Sequence, residues 1–179
     1  MHAAGLDHLV TVRADDYRDI DSTFDKVVAI EMIEAVDWRE YDAFFARCRE
    51  LLSDTGLLAM QAIVVPDASF DRTKRRTDFI KAAIFPGGCL PSLGALTAAA
   101  TRSGDLSLVH LEDIGPHYAE TLRRWRANLV GRADVLASAG YDERYVSVAQ
   151  LGYAAPGWRP KSSAAVHGAR PGARHLSTV

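Results

Sequence analysis

Two glutamates stand three residues apart in an otherwise apolar segment of the chain. Glu31 and Glu34 lie within residues 30–36, among Met, Ile, Ala and Val. A carboxylate in apolar surroundings is costly unless it meets a partner or a ligand. An acid held in this way is suited to proton transfer. The same spacing also fits two glutamates that point into solvent from an ordinary loop, and spacing alone does not separate the two interpretations.

Three other polar side chains are candidates for a site. Gln61 lies within the apolar segment 57–65, where its amide must either bond the local backbone or face the same cleft as the glutamates. The local bond is the favoured interpretation. Asp16 and Tyr17 are suited to a nucleoside, with the ring against the base and the acid near its amine, but a surface turn with an aromatic residue is equally ordinary.

The elements around these residues predict where they meet. Residues 24–30 have the β-branched, apolar composition of a strand buried on both faces, and residues 57–65 predict the next buried strand. Between them, apolar residues at helical spacing predict a helix over about 39–53 that stops at Asp54-Thr55-Gly56. A strand, a helix and a strand with short connections form a βαβ unit with parallel strands. Ligands bind beyond the carboxyl ends of such strands, where Glu31 and Glu34 fall.

Further elements complete an α/β sandwich with a helical insertion over about 66–104. Residues 9–14 predict a strand that ends just before Asp16, and Ser92 is expected to cap a helix that runs through Ser103. The other predicted elements are a helical stretch over 69–84, a strand over 106–114, a helix marked by Tyr118, Leu122, Trp125 and Leu129, and a last strand over 145–153.

Composition narrows the class of protein. The 179 residues carry 48% hydrophobic and 25% charged side chains with a net charge of -2, which gives no electrostatic reason to expect a nucleic acid partner. We expect no metal site and no membrane span, and a cytoplasmic location. Residues 156–179 predict a disordered basic tail, for which plain solvation is favoured over contact with an anionic membrane.

Four blocks of sequence carry a family resemblance. The run 24–36 resembles the fourth strand and following loop of cyclopropane-fatty-acyl-phospholipid synthases and the related mycolic-acid methyltransferases. Residues 41–45 agree, as do Ile84-Phe85-Pro86-Gly87-Gly88-Cys89-Leu90-Pro91-Ser92 and His117-Tyr118-Ala119-Glu120-Thr121-Leu122-Arg123-Arg124-Trp125. The last two blocks are specific to the family. The resemblance implies an α/β, Rossmann-like class I methyltransferase fold with a helical insertion that covers the lipid.

The resemblance also implies cofactors and site residues. Family members use S-adenosyl-L-methionine to methylate the double bond of a lipid acyl chain, and a bound bicarbonate ion takes the proton. Glu34 matches the glutamate that holds this ion, Gln61 falls where many members have His, and Ile63 matches a backbone ligand. The matching cofactor positions are Asp16, Tyr17, Ile30 and Glu31, and the matching acyl-chain positions are Phe85, Tyr118, Leu122 and Trp125. No residue is assigned to a tyrosine that the family places at the bicarbonate site.

The resemblance begins after the strand and Gly-rich loop that hold the cofactor in family members, and the chain contains no Gly-x-Gly. The resemblance therefore predicts a truncated domain over 1–155 that does not convert an unsaturated phospholipid on its own. The implied product is a cyclopropane or methyl-branched fatty acid. The implied partners are an unsaturated phospholipid or fatty acyl chain, peripheral contact with a membrane, and a second copy of the chain. The alternative is a non-catalytic remnant that binds lipid or pairs with a full-length relative.

Overall fold

A computed structural model describes residues 5–77, 81–82, 87–103, 106–141 and 163–169. Strand β1, Phe24–Ile30, leads through two 3-10 turns into helix α1, Tyr41–Leu51, and then into strand β2, Leu52–Ile63. The two strands are parallel neighbours, with Ile30 opposite Gln61 at their carboxyl ends. The buried face of α1, which includes Phe44, packs into the same core as β1 and β2. The predicted βαβ unit is therefore confirmed.

The connection between α1 and β2 differs from the sequence prediction. The helix ends at Leu51, and Leu52 already has extended backbone, so the predicted helix stop at 54–56 is wrong. The extra residues are accommodated by an irregular register, in which Phe24 pairs with Leu52 but Lys26 pairs with Leu57. A Cβ atom on Gly56 would lie 2.9 Å from the Leu52 side chain, so this glycine permits a close approach within the strand instead of ending a helix.

Two predictions for the first part of the sheet are also wrong. The side chains of Val28 and Ile30 are 64% and 59% exposed, so β1 is not buried on both faces. Within the described residues, the core packs against the face of β1 that carries Val27 and Ala29. Residues 9–14 do not form a strand and pair with no described strand. Leu9 and Val12 in this segment are exposed.

Short helices follow β2. Helix α2, Asp67–Thr73, forms the first part of the predicted helical stretch, and helix α3 is Leu93–Arg102. The predicted cap is confirmed, since the buried Ser92 hydroxyl accepts the backbone N–H of Ala95 at 3.2 Å. An Asp67 oxygen accepts the N–H of Gly94 at 2.8 Å and ties the start of α2 to the start of α3.

The remaining elements complete a sheet with the order β1-β2-β4-β3 in the described part of the chain. Strand β3 is Ser107–Asp113, helix α4 is Gly115–Val130, helix α5 is Ala133–Ser138 and strand β4 is Ser163–Ala169. The predictions of β3 and of the long helix α4 are confirmed.

Strand β4 corrects part of the disordered tail predicted over 156–179. It lies antiparallel between β2 and β3, where its backbone satisfies the N–H and C=O groups of both neighbours. The last strand predicted over 145–153 lies outside the described residues. No helix within the described ranges is long and apolar enough to cross a membrane.

Candidate site at the carboxyl ends of the first two strands

The parallel pairing of β1 and β2 brings the predicted polar residues to one edge of the sheet. Ile30 stands opposite Gln61, and the next residue, Glu31, donates its backbone N–H to the Gln61 carbonyl at 2.9 Å. Glu34 follows in a 3-10 turn, Ile33–Ala35, which is anchored by the fully buried Ile33 side chain. Glu31, Glu34, Gln61 and Ile63 thus lie together, as the carboxyl ends of parallel strands require.

The two carboxylate oxygens of Glu34 have different surroundings. Oε1 accepts the backbone N–H of Ile63 at 2.6 Å, while Oε2 is buried and has no hydrogen-bond partner among the described residues. The backbone carbonyl of Glu34 accepts the Cys89 N–H at 2.8 Å, which holds the turn in place. A buried carboxylate oxygen without a partner is unusual in a folded protein. It points to a bound ligand that donates a hydrogen bond to this oxygen.

The electrostatics of Glu34 follow from this burial. Removal of water around the carboxylate raises its pKa, the hydrogen bonds from the N–H groups of Ile63 and of Glu34 itself oppose that rise, and the negative charge of Glu31 adds to it. Desolvation is the largest of these effects. The carboxyl group of Glu34 therefore holds its proton to a higher pH than an exposed glutamate does.

Glu31 connects the strands to helix α4. Its Oε1 atom accepts both the Gln61 side-chain N–H at 3.1 Å and the Tyr118 hydroxyl at 3.0 Å. The Gln61 amide thus faces the cleft, and the favoured local bond to backbone is wrong. Glu31 also has a φ of 50°, a left-handed conformation that is uncommon for a residue with a side chain and is often found at functional sites.

Sequence reasoning did not connect Tyr118 with Glu31. The two residues are 87 positions apart, so no local spacing reports their contact. On the same helix, the Tyr118 and Trp125 rings meet edge to face, with centroids 6.3 Å apart. Leu122 is buried, whereas Trp125 is 47% exposed. Phe85, the other residue assigned to the acyl chain, lies outside the described residues.

The positions assigned to the nucleoside form a surface turn. Asp16 accepts the backbone N–H of Arg18 and pairs with its guanidinium at 2.7 Å, and these bonds lower the pKa of Asp16 to about 2. The half-buried Tyr17 ring contacts Phe44 edge to face at 5.7 Å. Within the described part of the chain, no cluster of three or more His, Cys, Asp or Glu side chains is placed to hold a metal.

Comparison with known proteins shows the family. A family model described as mycolic acid cyclopropane synthetase matches residues 1–155. The chain belongs to this family. It is 40% identical over 159 residues to the tuberculostearic acid methyltransferase of Mycobacterium tuberculosis, a match that covers 88% of this chain and 37% of that protein. It is 30% identical over 142 residues to the cyclopropane-fatty-acyl-phospholipid synthase of Escherichia coli, which covers 79% of this chain and 35% of that protein.

The chain thus spans little more than a third of the length of these two curated relatives. Solved structures agree on the fold. A cyclopropane synthase from Mycobacterium tuberculosis superimposes with a TM-score of 0.72 at 21% identity, over 94% of this chain and 65% of that one. A mycolic acid cyclopropane synthase in complex with SAH and CTAB gives a TM-score of 0.70 at 22% identity, with the same coverage. The predicted α/β fold of class I methyltransferases is confirmed.

Proposed function

We propose that the chain serves in S-adenosyl-L-methionine-dependent transfer of a methyl or methylene group to the double bond of an unsaturated lipid acyl chain. The product would be a cyclopropane or a methyl-branched fatty acid. The names of the relatives support this class of reaction. The observation that carries the proposal is the Glu34 carboxylate, with one oxygen fixed by the Ile63 N–H and the other buried without a partner among the described residues.

Bicarbonate fits the free oxygen of Glu34. The ion has one O–H group, which can donate a hydrogen bond to a carboxylate oxygen. Its two other oxygens accept hydrogen bonds. Gln61 has two side-chain N–H groups, of which one bonds Glu31, so the second is a donor for such an oxygen. The Tyr118 hydroxyl donates to the same Glu31 oxygen that accepts the Gln61 amide, at 3.0 Å. We propose Tyr118 as the tyrosine of this site, a role for which the sequence suggested no residue.

The nucleoside of S-adenosyl-L-methionine fits beside β1. Ile30 is an exposed apolar side chain at the end of the strand, and the Glu31 carboxylate next to it accepts hydrogen bonds. These two residues would contact the base or the ribose. Asp16 and Tyr17 remain proposed neighbours of the adenine, although the described contacts of Asp16 are all with Arg18.

Helix α4 would cover the acyl chain. Leu122 contributes a buried apolar side chain, and Tyr118 and Trp125 form an aromatic pair along the same helix. Phe85 is proposed to lie on the same wall. When bound, S-adenosyl-L-methionine supplies an electrophilic methyl group, and bicarbonate supplies the base that receives a proton. The chain itself orients that base through Glu34 and Gln61, and it excludes water by burying Glu34 Oε2.

The test uses S-adenosyl-L-methionine with a labelled methyl group and vesicles of an unsaturated phospholipid. Label in the acyl chain, measured by mass spectrometry and lost in a Glu34→Gln variant, would support the proposal. It would also overturn the expectation from the sequence that the chain alone does not turn over. Calorimetry of S-adenosyl-L-methionine is run in parallel, because Glu31→Gln is expected to weaken that binding. If neither label nor cofactor binding is found, the proposal fails. If the cofactor binds without label, the failure lies in turnover and not in the cofactor site.

A second candidate function rests on the exposed face of β1. The side chains of Phe24, Val28 and Ile30 are all exposed apolar groups on a strand at one end of the described sheet order. Such a surface favours pairing with a second copy of the chain or with a full-length relative, or binding to lipid without catalysis. Light scattering of the purified chain that shows a dimer, together with no binding of S-adenosyl-L-methionine, would favour this candidate.

A further inference from the structure

A run of basic residues follows helix α2. Four of the five residues in 72–76 are Arg or Lys. Lys74 has a structural role, because its ammonium group pairs with Asp71 at 2.5 Å and lies 4.3 Å from the centre of the Trp38 ring. Its side chain is only 12% exposed. Lys74 therefore anchors the run to the body of the protein, with arginines on either side of it.

The three arginines of this run are exposed. Among the described residues, no ion pair forms with Arg72, Arg75 or Arg76. The nearby acids are already engaged, since Asp71 pairs with Lys74 and Asp37 pairs with Arg39 at 3.1 Å. The run thus presents an excess of positive charge. Several other exposed arginines of the chain instead meet an acid on the protein, namely Arg18, Arg102, Arg123 and Arg124.

The basic run lies at the same edge of the sheet as the candidate site. Residue Val65, between β2 and α2, bonds Pro91 at 2.8 Å, and Cys89 in the same loop bonds the Glu34 carbonyl. Trp38 begins the 3-10 turn that follows the turn of Glu34. A surface cavity opens beside the Trp38 ring, lined by Asp37, Trp38, Arg39, Lys74 and Arg75.

We propose that Arg72, Arg75 and Arg76 form a docking surface for the anionic headgroups of a phospholipid bilayer. A guanidinium group binds phosphate oxygens with paired N–H donors, and tryptophan is enriched where proteins meet the membrane interface. The choice of a bilayer over another polyanion rests on the proposed lipid substrate. The net charge of -2 gives no support for a nucleic acid partner. Docking at this edge would bring the acyl chains close to Glu34 and helix α4.

The experiment measures sedimentation of the purified chain with vesicles. Vesicles of phosphatidylcholine mixed with phosphatidylglycerol are compared with vesicles of phosphatidylcholine alone. The test variant carries Arg72→Gln, Arg75→Gln and Arg76→Gln. A matched control removes the same charge from exposed arginines elsewhere, through Arg123→Gln, Arg126→Gln and Arg132→Gln. Thermal unfolding of both variants establishes that they fold.

The wild-type chain is expected to bind the anionic vesicles, and binding should weaken as salt is added. Each basic residue near an anionic leaflet changes binding roughly fivefold, so the test variant should bind on the order of 100-fold more weakly. The control variant should retain most of the affinity. Equal binding to both kinds of vesicle, or an equal loss in the two variants, would overturn the proposal. Equally tight binding of heparin that the test variant abolishes would overturn the assignment to a membrane.

This outcome is separable from that of the proposed function. Vesicle binding requires neither cofactor nor turnover, so a failed methyl-transfer assay leaves it standing. Conversely, a chain that binds S-adenosyl-L-methionine but not anionic vesicles would overturn the docking surface alone.

Discussion

Replacing Glu34 by glutamine keeps the hydrogen bond that the side chain accepts from Ile63 and removes the oxygen proposed to accept the O–H group of bicarbonate. In the variant, the amide carbonyl takes over the hydrogen bond from Ile63, which the structure places at 2.6 Å. The NH2 group then stands at the position of Oε2, where a donor faces the O–H group of a bicarbonate ion instead of an acceptor. A hydrogen bond to a charged group contributes about 1.5–3 kcal/mol. The expected loss of bicarbonate affinity is therefore about 10- to 150-fold.

The assay is a titration of the purified chain with isotope-labelled bicarbonate, followed by nuclear magnetic resonance at neutral to mildly alkaline pH. Glu40→Gln is the matched control, because Glu40 is an exposed acid in the 3-10 turn Trp38–Glu40, outside the cluster of Glu31, Glu34 and Gln61. We expect it to change bicarbonate affinity by less than about threefold, as for other exposed substitutions. Equal bicarbonate affinity in the wild type and in Glu34→Gln, with both proteins folded, would refute the reasoning.

Three further predictions concern the fold around the site. Burial raises the pKa of Glu34 above its ordinary 4.5, so the protonated side chain stabilises the fold fully below about pH 4.5 and this contribution is lost as the pH rises through the raised pKa. Urea unfolding at several pH values should show that the free energy of unfolding falls more steeply with rising pH in the wild type than in Glu34→Gln. Tyr118→Phe removes the bond to Glu31 and should speed amide hydrogen exchange at the start of α4, with the exchange of α3 as the internal reference. Ser92→Ala removes the cap of α3 and should lower the free energy of unfolding by about 0.5–2 kcal/mol, whereas an unchanged value would exclude a role for the cap.

The sequence predicted the parts of the fold that local patterns determine. The apolar run of β1 and the helical spacing of α1 each lie within a dozen residues, and so does the Ser92 cap. The position of Glu31 and Glu34 at the carboxyl ends of the parallel strands also followed. The bond between Gln61 and Glu31 did not, because a local backbone bond was the favoured interpretation for the Gln61 amide. The irregular register at Leu52 was not predictable, since Asp54-Thr55-Gly56 has the composition of a helix stop and only packing against Leu52 explains it.

Contacts between distant segments were beyond local reasoning. Tyr118 meets Glu31 across 87 positions, and strand β4 pairs with β2 and β3 from within a segment whose composition is typical of a disordered tail. The burial of Glu34 Oε2 without a partner among the described residues is a property of the folded chain, and no spacing in the sequence reports it. These are the features on which the proposed chemistry depends.

A crystal structure of the chain grown with bicarbonate would test the central claim most directly. The account predicts a planar ion with one oxygen within roughly 2.5–3.2 Å of Glu34 Oε2 and another within reach of the Gln61 amide. Occupation of that position by another side chain of the protein, or bicarbonate bound only elsewhere, would contradict it.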